Sequence, residues 1–551
     1  MDSLVAENYI YHETLDPNTL DAQSYLVKQK NLVPYLDQQR GQGSYISSRV
    51  TIDCQIGNGS DFIDWRDAYI TLPYHYKLTC TSGATSTVAG AVANNFFTTP
   101  KNCSLVESML VEQSGRTIIQ TTSNLSHLVN FVKHNTTTSE SLATQAGDWY
   151  YPDSQFPESV TASIAGVRNV ANATTANTTS AIANNVVVND GALQRQRMAM
   201  PQNRLTTFVS AAAGTTEQAY YQSATATTTI DTTGTILSDT HYLAVIYLRD
   251  LSDFFMKAPL QKGGYKFTFV INQATTTFVA TGAVTTPFST ALTVPITNLI
   301  GSSTVQPCLL NIGGSNCVNS LLTATSTTYQ YTLVSEIDTS SDTRQSGVYM
   351  WVPSLTLADK DEARLLSKPI IHRNPYMINS ATYTGFTTQN PINIQLFSAI
   401  RNPRALIIIP QLGIATQTQT SQCSPFNTSP STPDPLSLIK TQIRIGSKSV
   451  LPSPINYGWN QFIQNTSQIF TTNGGLSNQC SGVINLSKWM NLYRYYAFDL
   501  SLTSMDLRDV SQLITFEAFN NSAVTIDLYV FCLYEEDVSF DLQNASVQVG
   551  N

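Results

Sequence analysis

Arg66-Asp67-Ala68-Tyr69-Ile70-Thr71-Leu72-Pro73 has an echo in Pro403-Arg404-Ala405-Leu406-Ile407-Ile408-Ile409-Pro410. Ala68 and Ala405, Ile70 and Ile407, and Pro73 and Pro410 coincide at one offset, 405 minus 68, or 337 residues. An alternating segment precedes each copy: Val50, Ile52, Cys54 and Ile56 in the first, and Ile392, Ile394 and Leu396 in the second. Period-two alternation is the mark of a strand with one buried face. Each copy then leads through a loop to a further strand, at Leu105-Val106 and Leu438-Ile439, an offset of 438 minus 105, or 333. A short helical pattern follows in both. Leu125, Leu128, Val129 and Val132 are spaced i, i+3, i+4, i+7 behind Ser123 as an N-cap, and Ile455, Trp459, Phe462 and Ile463 are spaced i, i+4, i+7, i+8. The repeated order predicts two copies of one β domain.

Around these copies the chain divides into three parts. Residues 1–44 are polar and read equally as an N-terminal arm or a disordered leader, with a short helix over Asp21–Leu32. The first β domain is expected over 45–358, with Leu243-Val245-Tyr247 and Tyr265-Phe267-Phe269-Ile271 as further alternating segments. A helical stretch from Asp250, itself an N-cap candidate, lies between them, and Val348–Val352 reads as the last strand. Two inserts rich in Thr, Ala, Asn and Ser interrupt this domain, about 135–237 and about 273–327, and read as long exposed loops. The charged run Asp359–Arg364 reads as a solvated linker opening the second domain, 359–551. That domain closes on Val524–Cys532, where Val524, Ile526, Leu528, Val530 and Cys532 form one face. Short strands, many turn residues and brief helices predict an all-β protein of two tandem eight-stranded jelly rolls.

Only 12% of the 551 residues are charged, about half the usual share, and the net charge is −8. A polar but uncharged surface favours tight packing against neighbours, because little charge has to be desolvated. Without clustered Lys and Arg, sequence-specific or general nucleic-acid binding is not expected. No apolar run approaches the roughly 20 residues that span a bilayer, and no signal peptide is visible. The eight cysteines contain no Cys-x-x-Cys pair. Cys54 and Cys532 read as small buried hydrophobes, and the pairing of Cys308 with Cys317 is left open.

In chain order, several stretches resemble the double jelly-roll major capsid proteins of polinton-like viruses and virophages, a lineage that includes adenovirus hexon and the large algal-virus capsid proteins. They are Arg66–Tyr74, Ile400–Arg404 running into Ile407–Pro410, Ser424–Pro430, Tyr493–Ser501, and the last strand into Tyr534-Glu535-Glu536. The resemblance implies a homotrimeric, pseudo-hexagonal capsomer that tiles the icosahedral shell of a double-stranded DNA virus. It implies the inserts as outer towers and a location in the virion after synthesis inside the host cell. Partners would be copies of the chain, neighbouring capsomers, and penton and minor capsid proteins.

The residues offer no catalytic constellation, and an enzyme is not expected. The histidines, at 12, 75, 127, 134, 241 and 372, have no metal-ligand spacing, and neither His-Glu-x-x-His nor Gly-x-Ser-x-Gly occurs. His75 reads as structural, Gly57-Asn58-Gly59 and Gly313-Gly314 as turns, Glu535-Glu536-Asp537 as a solvated strand end, and Trp459 as a buried helix anchor. No catalytic, cofactor or metal residue is assigned. A tandem β-sandwich binding module of the lectin or adhesin kind is the alternative. A jelly-roll carbohydrate-active enzyme would need two carboxylates facing each other across a cleft, and no candidate pair is flanked by a sugar-stacking platform.

Overall fold

In the computed structural model the chain is described over 27–39, 48–56, 61–82, 102–121, 123–138, 235–281, 328–339, 347–367, 370–412, 437–451, 453–469, 482–491, 493–501, 511–522 and 525–550, with Tyr45, Gln345 and a few short strands named below. Eight strands build the first sandwich: β1 Val27–Leu36, β2 Arg49–Ile56, β3 Tyr69–Ser82, β4 Val106–Gln113, β5 Arg116–Gln120, β6 Thr235–Tyr247, β7 Gly263–Ile271 and β8 Tyr349–Leu357. They pair antiparallel in the orders β1-β8-β3-β6 and β2-β7-β4-β5. Eight more build the second: β9 Tyr376–Phe386, β10 Pro391–Ile400, β11 Pro403–Leu412, β12 Leu438–Ile445, β13 Lys448–Ser449, β14 Tyr496–Asp499, β15 Gln512–Asn520 and β16 Ile526–Glu535. Their orders, β9-β16-β11-β14 and β10-β15-β12-β13, repeat the first pair strand for strand. Two four-stranded sheets in this order, facing each other, make a jelly roll, so the chain is a double jelly roll.

The alternation read from sequence lands as expected in β2 and β7. Val50, Ile52 and Cys54 sit opposite Phe269, Phe267 and Tyr265, all buried, and Phe267 and Phe269 sit opposite Val111 and Met109 on the other side. These cross-strand aromatic and β-branched pairs form the inner wall of the first core. Trp65 closes it, 4.9 Å from the Tyr265 ring and 5.3 Å from Phe267. Trp65 opens a short 3₁₀ turn, Trp65–Asp67, which the Asp64 carboxylate caps by accepting from the Arg66 N–H at 3.2 Å. In β6 Tyr242, Ala244 and Ile246 are the buried apolar residues among those described, so Leu243, Val245 and Tyr247 face outward.

The internal repeat pairs the right strands but not the right residues. β3 corresponds to β11, as the offset of 337 requires. Tyr74 donates to the Asn272 carbonyl at 2.7 Å, which turns it, and Ile70 and Leu72 on the same side, toward the opposite sheet. In the second sandwich Tyr496 accepts from the Leu438 N–H at 2.7 Å, and Ile408 is its cross-strand neighbour, so Ile408 faces inward and Ile407 outward. Ile70 and Ile407 therefore lie on opposite faces. A one-residue slip exchanges the two faces of a strand.

Several expectations need correction. Val27–Leu36, part of the segment read as an arm with a helix, is the edge strand β1, paired with β8 from Leu36↔Tyr349 to Val27↔Leu357. Its exposed, polar face hides the alternation, and Pro34 is tolerated because an edge strand can spare an N–H. The helix after β5 is α1, Leu125–Thr136, and begins behind Asn124 rather than Ser123. The stretch from Asp250 forms two short helices, Leu248–Leu251 and Asp253–Lys257, the second capped by Ser252 accepting from the Phe254 N–H. The second repeat helix, α2, spans Trp459–Ile469 and leaves out Ile455, which instead bridges to Thr441. Asp359–Leu366 is a helix, not a solvated linker: Asp361 is buried beside Arg364 at 3.7 Å, and Glu362 pairs with Lys262 at 3.0 Å.

Three connections of the first sandwich pair with one another. Ser86–Ala89, from the β3–β4 connection, pairs with Thr227–Ile230 on one side and with Leu322–Ala324 on the other. Phe97–Thr98 pairs with Leu309–Leu310. The far half of β3 carries the hairpin Ala274–Thr281 and Thr328–Ile337 on its edge. The sequence reading had singled out two of these connections and missed the first. Most of 135–237 and 273–327, and Cys308 and Cys317, lie outside the described residues.

Strand β16 is buried on both faces over Ile526–Leu533, unlike the one-faced strand expected there. Ile526 lies between Phe386 and Leu412. Ile526→Asp is expected to abolish soluble folded protein, since an unpaired buried carboxylate costs several kcal/mol, whereas Ile526→Val should cost about 1 kcal/mol in denaturant unfolding.

Candidate assembly surface

The two sandwiches are joined by side chains rather than by a tether. Helix α1 has apolar residues on two stripes. Leu125 and Val129 belong to the first core, and Leu128 and Phe131 belong to the second. His127 lies flat on Tyr529 of β16, ring centroids 4.3 Å apart, and Phe131 meets Tyr495 edge-on at 5.1 Å. His134 hydrogen-bonds the Tyr495 hydroxyl through Nδ1 at 2.9 Å and packs on Tyr493. The covered surface is the outer face of the β9-β16-β11-β14 sheet.

Polar contacts fix the helix ends. Asn124 holds a left-handed backbone, φ 56°, which Asn tolerates better than most residues. Its N–H donates to Glu107 Oε1 at 2.9 Å, and its Nδ2 donates to Thr382 Oγ1 at 2.9 Å. Ser380 Oγ donates to the Ser123 carbonyl at 2.9 Å and accepts from its N–H. At the other end the Val483 N–H donates to the His134 carbonyl at 2.9 Å. Gly482 lies against this turn at φ +67°, where a Cβ would run into the His134 carbonyl oxygen and the Asn135 backbone. Lys133 ties the helix to Asp250 at 2.8 Å with both side chains largely enclosed.

A second joint runs the other way. A three-stranded sheet of Ile370–Arg373, Val538–Asp541 and Ser546–Val549 packs into the first core through Ile371, Val538, Phe540 and Val547. Phe540 lies 5.6 Å from Phe254, and Gln113 Nε2 donates to the Ala545 carbonyl at 2.9 Å. Tyr376 donates its N–H to Asp253 at 2.9 Å, with Lys257 over its ring at 4.2 Å. Each sandwich therefore completes the other's core.

The residues weighed as chemistry are spread across this framework. His75 is stacked on His241 at 4.2 Å, with Glu336 at 3.7 Å, and His241 contacts Asp338 at 2.9 Å. Glu535 pairs with Arg404 at 2.8 Å and exposed Asp537 with exposed His372 at 3.3 Å, while burial raises the Glu536 carboxyl. Burial likewise pushes the Cys54 and Cys532 thiols up. Trp459 is half-buried and stacked on Phe462; the buried anchor is Trp489. His12, Gly57–Gly59 and Gly313-Gly314 lie outside the described residues. Among the described residues no group of three or more His, Cys, Asp or Glu is placed to hold a metal ion, and no helix is long and apolar enough to cross a membrane. The sequence reading missed His127, Phe131 and Gly482 as seam residues. The first two were legible as ring-bearing residues off the Leu125–Val132 stripe.

No protein-family model matches the chain, and no curated protein does. Among solved structures it is similar to a chain of the Sputnik virophage determined by cryo-EM, at 13% identity and TM-score 0.49, covering 97% of this chain and 92% of that one. It is also similar to a chain of the PBCV-1 virus capsid (8%, TM-score 0.41, covering 97% and 99%) and to the mavirus major capsid protein (8%, TM-score 0.36, covering 96% and 92%).

Two outcomes test the seam. Gly482→Ala is expected to cost more than Gly115→Ala in denaturant unfolding. Both glycines have positive φ, a strain of about 1–2 kcal/mol for Ala, but only Gly482 is crowded by backbone. Burial also pushes His127 down to about 3. Its folded pKa is below the unfolded value of about 6.5, so the unfolded chain binds the proton first and stability falls as pH drops below that value. His127→Phe keeps a ring on Tyr529 and should remove about 1.4 kcal/mol of this loss per pH unit between pH 6 and 4, read from unfolding at each pH.

Proposed function

We propose that this chain is a structural major capsid protein without catalytic activity. Three copies form a pseudo-hexagonal capsomer, and capsomers tile an icosahedral shell around a double-stranded DNA genome. One observation carries the reading: two jelly rolls of identical strand order are held side by side by burial in both directions. Such a pair is one third of a six-sandwich ring, so three chains supply the whole. The division into 45–358 and 359–551 belongs to this reading, with β1 (Val27–Leu36) joining the first part; each part then contributes one jelly roll and lends a segment to the other's core.

Composition supports it. With 12% charged residues, large contacts form without much desolvation of charge, which suits extensive joints within a capsomer. The pairing of three inserted connections of the first sandwich supports an outward tower there. The chain's partners are then copies of itself, neighbouring capsomers, and penton and minor capsid proteins. Its location is the virion, after synthesis in the host cell.

Light scattering after size exclusion tests the reading on the full chain. The expected species is three times 60.4 kDa, about 181 kDa, persisting on dilution. A 60.4 kDa monomer at every concentration would overturn it.

A further inference from the structure

The joint inside the chain has an unused counterpart on each side. Within the chain, the helix that follows β5 covers the outer face of the next sandwich's β9-β16-β11-β14 sheet. The equivalent face of the first sandwich, on β1-β8-β3-β6, carries Leu32, Tyr69, Val245, Tyr247, Tyr349 and Trp351. Tyr69 stacks on Trp351 at 6.3 Å and meets Tyr247 at 5.7 Å, while Trp351 Nε1 donates to Thr71 Oγ1 at 2.9 Å. These rings are half-exposed and Leu32 is 45% exposed, an apolar face bordered by the Arg249 guanidinium, 4.7 Å from the centre of the Tyr247 ring.

The equivalent helix turns its apolar side to its own core and leaves Asn460, Gln464 and Gln468 exposed. α2 follows β13 as α1 follows β5, and packs into its own core through Phe462 and Thr466. A further helix of the same connection, α3 Leu486–Asn491, leans on it through Trp489, 5.8 Å from the Phe462 ring. One turn apart on α3, Leu486 and Met490 are 48% and 44% exposed. With Leu32 they are three of the five exposed large hydrophobic side chains among the described residues, and all three fall on these two surfaces.

We propose that the α2–α3 connection of a second copy of this chain seats on the outer β1-β8-β3-β6 face, with Leu486 and Met490 against Leu32 and the Tyr69–Trp351–Tyr247 rings. The contact repeats between chains the joint that α1 makes within one. It is heterologous, one surface meeting a different surface, and such a contact builds a ring where the rotation closes, as the capsomer reading requires. The inference rests on the capsomer reading and adds to it which surfaces meet.

Complementation tests it in the full chain. Leu486→Asp with Met490→Asp breaks the helix side at exposed positions, and Leu32→Asp with Val245→Asp breaks the sheet side. Each variant alone is expected as a 60.4 kDa monomer with the wild-type circular dichroism spectrum. Mixed, they retain one intact joint between them, so a two-chain species of twice 60.4 kDa, about 121 kDa, should form and grow no further. If the wild type is multimeric and the folded helix-side variant stays so, the proposed joint is wrong while the capsomer reading stands. If the wild type is itself monomeric, both fall. If both variants are monomeric but their mixture does not associate, the contact is not head-to-tail and the proposal is overturned. Should the sheet-side variant fail to fold, Tyr247→Ser takes its place in the mixture.

Discussion

A helix with both apolar stripes buried has no orientation left to choose. Leu125 and Val129 fix α1 to the first core, and Leu128 and Phe131 fix it to the second, so rotating either sandwich would expose one stripe. Domain pairs are ordinarily joined by linkers and modest polar interfaces, and relative motion is their default. Here the angle between the sandwiches is set by close packing, which tolerates only small shifts. The Asn124, Ser380 and Thr382 hydrogen bonds then fix the helix along its axis. Everything built on a fixed angle, from the shared cores to the handedness of any larger assembly, follows from this one buried helix.

Charge is scarce in this chain and is spent on the same task. Three ion pairs with both side chains at least partly enclosed join elements distant in sequence: Lys133 with Asp250, Lys262 with Glu362, Arg404 with Glu535. Exposed pairs contribute little, but pairs withdrawn from water lose much when one partner goes. Tyr hydroxyls and Asn amides serve elsewhere, as where Tyr457 donates to the Ala497 carbonyl inside the second core.

How much of this could be read from sequence depends on the kind of interaction. One-faced strands announce themselves: Tyr265, Phe267 and Phe269 alternate because one side meets the core and the other meets water. The order of strands was legible for the same reason, and with it the jelly rolls. Register was not. Ile407, Ile408 and Ile409 are apolar in sequence because β11 is buried on both faces, and a continuous run carries no phase. Strand β1 was missed for the opposite reason, being exposed and polar. The seam was half legible: α1's own stripe is periodic, but His127 and Phe131 acquire meaning only beside Tyr529 and Tyr495, some four hundred residues away. Thr-rich strands such as Thr227–Ile230 have no pattern at all apart from the partners that pair with them.

The three-stranded sheet that ends in Ser546–Val549 has a consequence for how the chain is made. Phe540 covers Phe254, and Val538 and Val547 complete the same core, yet the whole second sandwich is translated between them and the first. Synthesis at roughly 5–20 residues per second leaves that apolar surface bare for many seconds on the ribosome, when exposed patches are most prone to aggregate. The first sandwich's core is therefore completed only after the second sandwich has been made.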